Sequence, residues 1–172
     1  MTSVYLSLGS NIDRHKYICA GLDALADLFG VLRISSVYES KSVGFDGSNF
    51  FNLVVGLQTA LSIADLSEQL KKIENKNGRV RSGPKFSPRT LDIDILTYGN
   101  FIGIDTGVEL PRTEITQNAF VLLPLAEIAP DEIHPQLGRA YSELWNAYDK
   151  KSQSLWSIDF TWRDKIISRK AL

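Results

Sequence analysis

The chain has 172 residues, of which 44% are apolar and 23% charged, as in globular proteins with one sizeable core. Its 19 basic and 20 acidic residues give a net charge of −1, which argues against a surface built for nucleic acid or an anionic membrane. The single cysteine excludes an intrachain disulfide, and no apolar run approaches the ~20 residues that span a bilayer. Without a signal-peptide pattern, we expect one cytoplasmic domain, residues 1–172, with no nucleic-acid or membrane partner.

The N-terminal part alternates between strand and helix patterns. Val4–Leu8 alternates apolar and polar residues, which predicts a half-buried strand. Asp13 is expected to cap a following helix, and Gly30 is expected to end it. Val31–Tyr38 then predicts a second strand, and Lys41–Asn49 predicts a polar loop.

The central part predicts a long strand, a helix and a basic loop. Phe50–Gln58 has a period of two that places Phe50 and Asn52 together on one face of the strand. A helix with one apolar stripe is expected over Ser62–Asn77. Residues 79–88 combine basic side chains with two prolines and one glycine, which indicates a loop.

The C-terminal part begins with a strand over Leu91–Tyr98. Short strands are expected around 101–104 and 108–110, followed by the apolar stretch 120–128 and a helix over Tyr141–Tyr148. The order β-α-β-β-α-β predicts an α+β fold with a ferredoxin-like core. Its sheet should be mostly antiparallel, with helices packed on it and extra elements at the C-terminal end.

Two aspartates share one face of the predicted Leu91–Tyr98 strand. Asp92 and Asp94 alternate with apolar residues, so their Cβ atoms should lie roughly 6.5–7 Å apart. Magnesium between them would relieve their repulsion, whereas a strand facing solvent would need no metal. Because Arg79, Arg81 and other basic residues lie just before this strand, we favour phosphoryl or pyrophosphoryl transfer.

Five stretches carry a resemblance to a known family. They are Leu8–Asn11, Phe50–Asn52, Gly78–Arg81, Pro88–Ile95 and Pro124–Pro130. In order and spacing the chain resembles the 6-hydroxymethyl-7,8-dihydropterin pyrophosphokinase family of folate biosynthesis. The resemblance covers residues 1 to about 150 and leaves 151–172 as a divergent tail.

The resemblance implies a reaction and a set of site residues. The reaction is transfer of pyrophosphate from ATP to the hydroxymethyl group of the pterin, giving AMP and the pterin diphosphate, with a pair of Mg²⁺ ions as cofactor. ATP and the pterin would be the partners of a monomer or weak homo-oligomer. The implied residues are Arg79, Arg89, Asp92 and Asp94 for catalysis, the two aspartates also as metal ligands; Ser40, Val43, Phe50, Asn52 and Phe120 for the pterin; and Glu74, Arg81, Phe86, Ile95 and Arg112 for the nucleotide.

The residues alone support part of this assignment. An aromatic ring and an amide on one strand face suit a flat heterocycle with donors and acceptors on its rim, as Phe50 and Asn52 would provide. Taken without the resemblance, Phe50 and Phe120 would be predicted in the core and Glu74 on the exposed surface. His134 lies in a turn and is predicted at the surface.

Several positions depart from the family pattern. Arg112 stands where the family commonly has His, Asn118 where it has Arg, Gly107 where some members have Arg, and Phe86 where Trp is frequent. We favour an active kinase. The alternatives are a weak or inactive paralogue that binds a pterin or related ligand, and a ferredoxin-like domain that senses another small molecule.

Overall fold

Alternating apolar residues organise an antiparallel sheet at the centre of the structure, a computed structural model that describes residues 1–41, 48–78 and 90–171. The strands are β1 Thr2–Ser10, β2 Arg33–Ile34, β3 Tyr38–Ser40, β4 Phe50–Thr59, β5 Asp92–Tyr98, β6 Gly103–Asp105, β7 Val108–Leu110, β8 Leu155–Ser157, β9 Phe160–Trp162 and β10 Lys165–Ser168. The helices are α1 Arg14–Phe29, α2 Ile63–Lys76, α3 Glu114–Gln117, α4 Ala119–Ile128 and α5 Tyr141–Ala147.

The main sheet has the order β5-β1-β4-β3-β8, with β2 also paired to β4. Each of these neighbouring pairs is antiparallel. The elements follow the predicted β-α-β-β-α-β order along the chain. They are β1, α1, then β2 and β3 in the place of one strand, and finally β4, α2 and β5. The α+β, ferredoxin-like prediction is therefore confirmed. Two small hairpins, β6–β7 and β9–β10, add to this core.

The two long helices begin differently. At the start of α2, the Ser62 side chain accepts a hydrogen bond from the Asp65 N–H at 3.1 Å, as expected of an N-cap. Asp13 occupies the N-cap position of α1, but its φ of 43° is left-handed and its side chain makes no cap hydrogen bond. The predicted side-chain cap at Asp13 is therefore wrong. Gly30 ends α1 as expected, with a φ of 77° that favours glycine.

The strand predicted over Val31–Tyr38 is interrupted. Its two short parts, β2 and β3, are separated at Ser35, which is fully buried. The Ser35 hydroxyl accepts the Val54 N–H at 2.9 Å, and the Ser35 N–H donates to the Val54 carbonyl at 3.0 Å. A side-chain oxygen thus takes the place of a backbone acceptor, which explains why the ladder breaks there.

The two faces of the sheet carry different apolar clusters. On one face, α1 and α2 pack on the even-numbered residues of β1 and the odd-numbered residues of β4 and β5. On the other face, α4 and α5 pack around Tyr5, Val54 and Leu96. We call these the α1–α2 face and the α4 face. The predicted alternation of β4 and β5 is therefore confirmed.

The C-terminal segment, which we define as residues 149–171, joins this core. Strand β8 pairs with β3 at the edge of the sheet, and Phe160 is buried in the cluster of the α1–α2 face. The Trp162 indole donates to Asp23 on α1 at 2.9 Å, and Arg163 lies 2.7 Å from the same carboxylate. Residues beyond the family resemblance are thus integral to the packing.

His134 is buried rather than exposed. Only 4% of its surface is accessible, so its predicted surface position is wrong. Its Nδ1 accepts the backbone N–H groups of Gln136 and Leu137 at 3.2 and 3.1 Å. The turn closes around the ring because the ring satisfies two backbone donors of that turn. Burial lowers the pKa of His134 below its usual value.

Within the parts of the chain that the structure describes, no helix has the length and apolar character needed to cross a membrane. The loops predicted at Lys41–Asn49 and 79–88 fall largely outside those parts.

Candidate active site

Asp92 and Asp94 lie on the α4 face of β5, near the start of that strand. Asp92 is opposite Gly9 of β1, and Asp94 is opposite Ser7. Their side chains share one face because they are two residues apart in a regular strand, as the sequence predicts. Both residues are only partly buried, so their carboxylates can meet a ligand.

A cavity of about 390 Å³ lies beside this pair. It is bounded by α2, β5, the β6–β7 hairpin and residues 112–114. Many of the lining side chains are charged: Lys71, Glu74, Asp92, Asp94, Glu109, Arg112 and Glu114. Such a lining suits a strongly polar ligand better than an apolar one.

Glu74 is a buried carboxylate at this cavity. It is 4% exposed, and it accepts the Ile93 backbone N–H at 2.8 Å. The alternative that places Glu74 on the exposed surface is therefore wrong. Because the last turns of α2 pack against β5, an acidic residue on this side of the helix meets the strand edge rather than water.

Arg112 lies between the acidic groups. Its Nη2 is 3.5 Å from Asp94 Oδ1, and its Nη1 is 3.2 Å from Glu114 Oε2. The Nε atom donates to the Ile95 carbonyl at 3.2 Å. The guanidinium is thus held on the edge of β5, with a positive charge directly beside the acidic pair.

The protonation of Asp94 is strongly perturbed. Burial, followed by the negative charge of Asp92, raises the pKa of Asp94 to about 7, although 37% of its side-chain surface is accessible. The Arg112 charge acts in the opposite direction, while Glu74 and Glu114 add to the rise. Within the described residues, the carboxylates of Asp92, Glu74 and Glu114 surround Asp94, and a bound cation would reduce the repulsion among them.

A second group of predicted residues lies on the same face. The Asn52 amide donates to Ser40 Oγ at 2.8 Å and to the Tyr38 carbonyl at 3.4 Å. Ser40 is directly opposite Phe50 in the β3–β4 pairing. The structure thus brings Ser40, Phe50 and Asn52 together.

Gly9 connects the two groups. It is opposite Asn52 on one side and opposite Asp92 on the other, so these three residues form one row across β4, β1 and β5. Two strand spacings separate Asn52 from Asp92, a distance of about 10 Å. A Cβ atom on Gly9 would lie 3.6 Å from Asn52 Oδ1 and 3.7 Å from Phe50 Cδ1. Because Gly9 has no side chain, the row carries only backbone between the amide group and the acidic pair.

Phe120 lies near the start of α4 and packs partly buried against the cluster of the α4 face. The far end of that helix is fixed to β3 and the residues just before it, because Glu127 accepts the Tyr38 hydroxyl at 2.7 Å and the Ser36 N–H at 3.0 Å. Five predicted site residues, namely Val43, Arg79, Arg81, Phe86 and Arg89, lie outside the described residues.

Sequence reasoning missed Glu114, which holds Arg112, and Gln153, which contacts the start of α4. The position of Glu114, two residues after Arg112, was a weak local signal for their contact. Gln153 gave no local signal, because its partner Ala119 is 34 residues away.

Comparison with known proteins identifies the family of the chain. Residues 5–130 match the model of the 7,8-dihydro-6-hydroxymethylpterin-pyrophosphokinase (HPPK) family. A 2-amino-4-hydroxy-6-hydroxymethyldihydropteridine pyrophosphokinase of Aquifex aeolicus is 39% identical over 78% of this chain and 85% of its own length. The protein of the same name from Haemophilus influenzae is 37% identical over 78% of this chain and 86% of its own.

Solved structures share the fold. A wild-type HPPK-DHPS of Plasmodium falciparum with SDX-DHP has a TM-score of 0.72 and 16% identity, covering 98% of this chain and 49% of its own. An HPPK-DHPS in complex with substrates has a TM-score of 0.73 and 14% identity, covering 97% and 48%. This chain spans about half the length of those solved chains, and at such identity the likeness shows the fold alone. On the family match and the relatives above 30% identity, the chain belongs to the 7,8-dihydro-6-hydroxymethylpterin-pyrophosphokinase family.

Proposed function

We propose that this chain transfers a pyrophosphoryl group from ATP to the hydroxymethyl oxygen of 6-hydroxymethyl-7,8-dihydropterin, giving AMP and the pterin diphosphate. The observation that carries this function is the row Asn52, Gly9 and Asp92 on one face of the sheet. At one end of this row, Asn52 and its neighbours suit a heterocycle. At the other end, the acidic pair Asp92 and Asp94 lies beside the charged cavity.

Asp92 and Asp94 would hold Mg²⁺. Two carboxylates on one face of a strand provide the oxygen donors that a hard divalent cation needs. In residues 1–41, 48–78 and 90–171, no cluster of three or more acidic, histidine or cysteine side chains could hold a metal. Mg²⁺ commonly takes its remaining ligands from water and substrate phosphates, which fits a site with two protein ligands. When bound, the ion would supply charge stabilisation to the transferring phosphates.

Phe50, Asn52, Ser40 and Phe120 would bind the pterin. The Asn52 Oδ1 lies beside Gly9, 3.6 Å from where a Cβ atom of that residue would be, while its amide nitrogen is already fixed by Ser40. A fixed amide presents its acceptor in one direction, which suits the donor groups on a pterin rim. The aromatic rings would cover the flat faces of the heterocycle.

The charged residues around the cavity would position the nucleotide. Arg112 keeps a cation beside Asp94 where a neutral histidine could stand in other family members. Arg79 and Arg89, together with Arg81, would bind phosphate oxygens from the basic loop. Ile95 lines the cavity and would contact the nucleotide.

Asn118 supplies no charge in this arrangement, because its side chain is a neutral amide. Its Oδ1 accepts a hydrogen bond from Gln153 at 3.0 Å. The phosphate contacts would therefore be distributed differently from the common family pattern. The curated relatives reported above are named pyrophosphokinases, so they give the alternative of an inactive paralogue no support.

The direct test is an assay of purified protein with ATP, Mg²⁺ and the hydroxymethyl dihydropterin. We expect AMP and the pterin diphosphate in equal amounts, and no product when EDTA removes the metal. Formation of ADP would contradict pyrophosphoryl transfer. Calorimetric binding of the pterin without any turnover would instead favour the binding paralogue.

A further inference from the structure

The start of α4 is held by a residue far away in the chain. Gln153 Oε1 accepts the Ala119 backbone N–H at 2.7 Å. Its Nε2 donates to Asn118 Oδ1 at 3.0 Å and lies 3.4 Å from the Gln117 carbonyl. Gln153 belongs to the C-terminal segment, which lies beyond the residues that match the family model.

This contact replaces an ordinary helix cap. Backbone N–H groups in the first turn of a helix have no partner within the helix, and the N-cap side chain usually accepts one of them. Asn118 is at the N-cap of α4, yet it makes no side-chain cap hydrogen bond. Gln153 accepts the N–H of the first helical residue instead, and its amide holds the Asn118 side chain.

The pairing of β8 places this contact near the proposed pterin site. Leu155 of β8 is opposite Ser40, which in turn is opposite Phe50. Gln153, two residues before Leu155, therefore lies at the Phe50 end of the sheet. Since α4 runs from that end toward Ser36, Phe120 is in its first turn at the same end.

We propose that Gln153 is a positioning residue for the pterin: by fixing the backbone of Ala119, it sets where the adjacent Phe120 ring stands. This role rests on the proposed function, because it concerns the aromatic wall of that same site. Gln153 would touch neither substrate. Its loss should therefore weaken pterin binding and leave nucleotide binding unchanged.

Two substitutions separate positioning from general stability. Gln153→Met keeps the length and volume of the side chain but removes its hydrogen bonds to Ala119, Asn118 and Gln117. Gln153→Glu keeps an oxygen that can accept the Ala119 N–H, and the Asn118 amide can rotate to donate to it. A negative charge at the start of a helix is also favourable. Lys151→Ala, an exposed position in the same segment, is the matched control.

The measurements are pterin and ATP KM values, pterin affinity by calorimetry, and melting temperature for each variant. For Gln153→Met we expect pterin KM and Kd to rise roughly three- to tenfold, the effect of about one hydrogen bond, with ATP KM within about twofold. Gln153→Glu should restore pterin affinity to within about twofold of the wild type. Lys151→Ala should match the wild type throughout.

Unchanged pterin affinity in Gln153→Met would overturn this role. So would an equal rise in both KM values, or a loss that Gln153→Glu does not repair, since either would indicate general destabilisation. If the wild type forms no AMP but binds the pterin, the transfer reaction fails and calorimetry on the same variants still decides the role of Gln153. A wild type that neither binds nor converts the pterin would overturn both proposals.

Discussion

The two faces of the central sheet show how one set of strands can serve both stability and a site. On the α1–α2 face, two long helices cover β1, β4 and β5 with apolar side chains, and Phe160 adds to the cover. On the α4 face, apolar packing surrounds Tyr5, Val54 and Leu96. Beyond this apolar cluster on the same face, the row Asn52, Gly9 and Asp92 carries an amide and a carboxylate.

This difference has a physical cause. Burying an unpaired carboxylate in an apolar contact is unfavourable, so Asp92 and Asp94 cannot lie under a helix as Leu96 does. One complete core on the α1–α2 face allows the other face to keep charges close together. We expect substitutions on the first face to change folding stability and substitutions at the acidic end of the second to change activity.

The largest expected effect is on stability. Leu22, fully buried on α1, should lose about 2–5 kcal/mol of unfolding free energy on change to Ala, because a cavity remains. Urea unfolding measures this. The kcat/KM of the folded fraction at 25 °C should stay within about twofold of the wild type. A large loss of activity in fully folded Leu22→Ala protein would remove the distinction between the faces.

Asp92→Asn should show the opposite behaviour. We expect kcat to fall by about 100-fold or more, equivalent to about 2.7 kcal/mol in the barrier, because a charged metal ligand is lost. Unfolding free energy should stay equal or rise slightly, since the repulsion with Asp94 disappears. Steady-state kinetics and urea unfolding on one preparation test both statements. Asp131→Asn, an exposed aspartate outside the cavity lining, is the control and should change neither quantity.

Metal affinity should depend on pH through Asp94. With a pKa of about 7, this carboxyl is mostly ionised at pH 8 and mostly protonated at pH 6, so Mn²⁺ used as a probe should bind about tenfold more weakly at pH 6. Arg112→Gln should move the midpoint to higher pH, because the Arg112 charge lowers the Asp94 pKa. A flat profile between pH 6 and 8 would contradict the perturbed carboxyl.

Unfolding provides an independent measurement of the same group. A raised pKa means that folded Asp94 binds its proton more tightly than the unfolded chain does. Its contribution should therefore lower the unfolding free energy as pH rises from about 4 to about 7. The difference between wild type and Asp94→Asn across this range isolates the effect, and the opposite slope would contradict the assignment.

The smallest expected effect concerns His134, which supports the fold away from the cavity. Its pKa is lowered by burial, so the unfolded chain gains a proton more readily as pH falls below about 6.5. The unfolding free energy should therefore decrease between pH 7 and pH 5. His134→Asn, which keeps an acceptor but cannot titrate, should lack this part of the decrease. Activity at pH 7 should be the same in both proteins.

The regular parts of the fold could be predicted because they depend on local periodicity. Alternation in β4 and β5 correctly assigned Asn52 and Asp94 to faces, and Ser62 marked the start of α2. The break at Ser35 was not predicted, because a serine hydroxyl replaces a ladder partner only when the neighbouring strand brings a free N–H to it.

Buried polar residues were predicted least well. Glu74 appears exposed in the sequence because its partner, the Ile93 N–H, is supplied by another element. His134 is buried because its own turn supplies two donors, which residue type alone does not indicate. The candidate site was predicted from its spacing and the family resemblance and stays a prediction, while the contact of Gln153 with α4 depends on tertiary packing. The assignment of all 172 residues to one domain stays a prediction.

The position of β5 at the edge of the sheet gives the site residues a second effect. Free backbone groups on an edge strand can template strand addition by another chain and so lead to aggregation. Here the Ile93 N–H is taken by Glu74, while the Ile95 and Leu96 carbonyls accept the Nε and the backbone N–H of Arg112. An intruding strand would have to displace both side chains. Variants at these two positions should therefore be screened for self-association before any loss of turnover is attributed to chemistry.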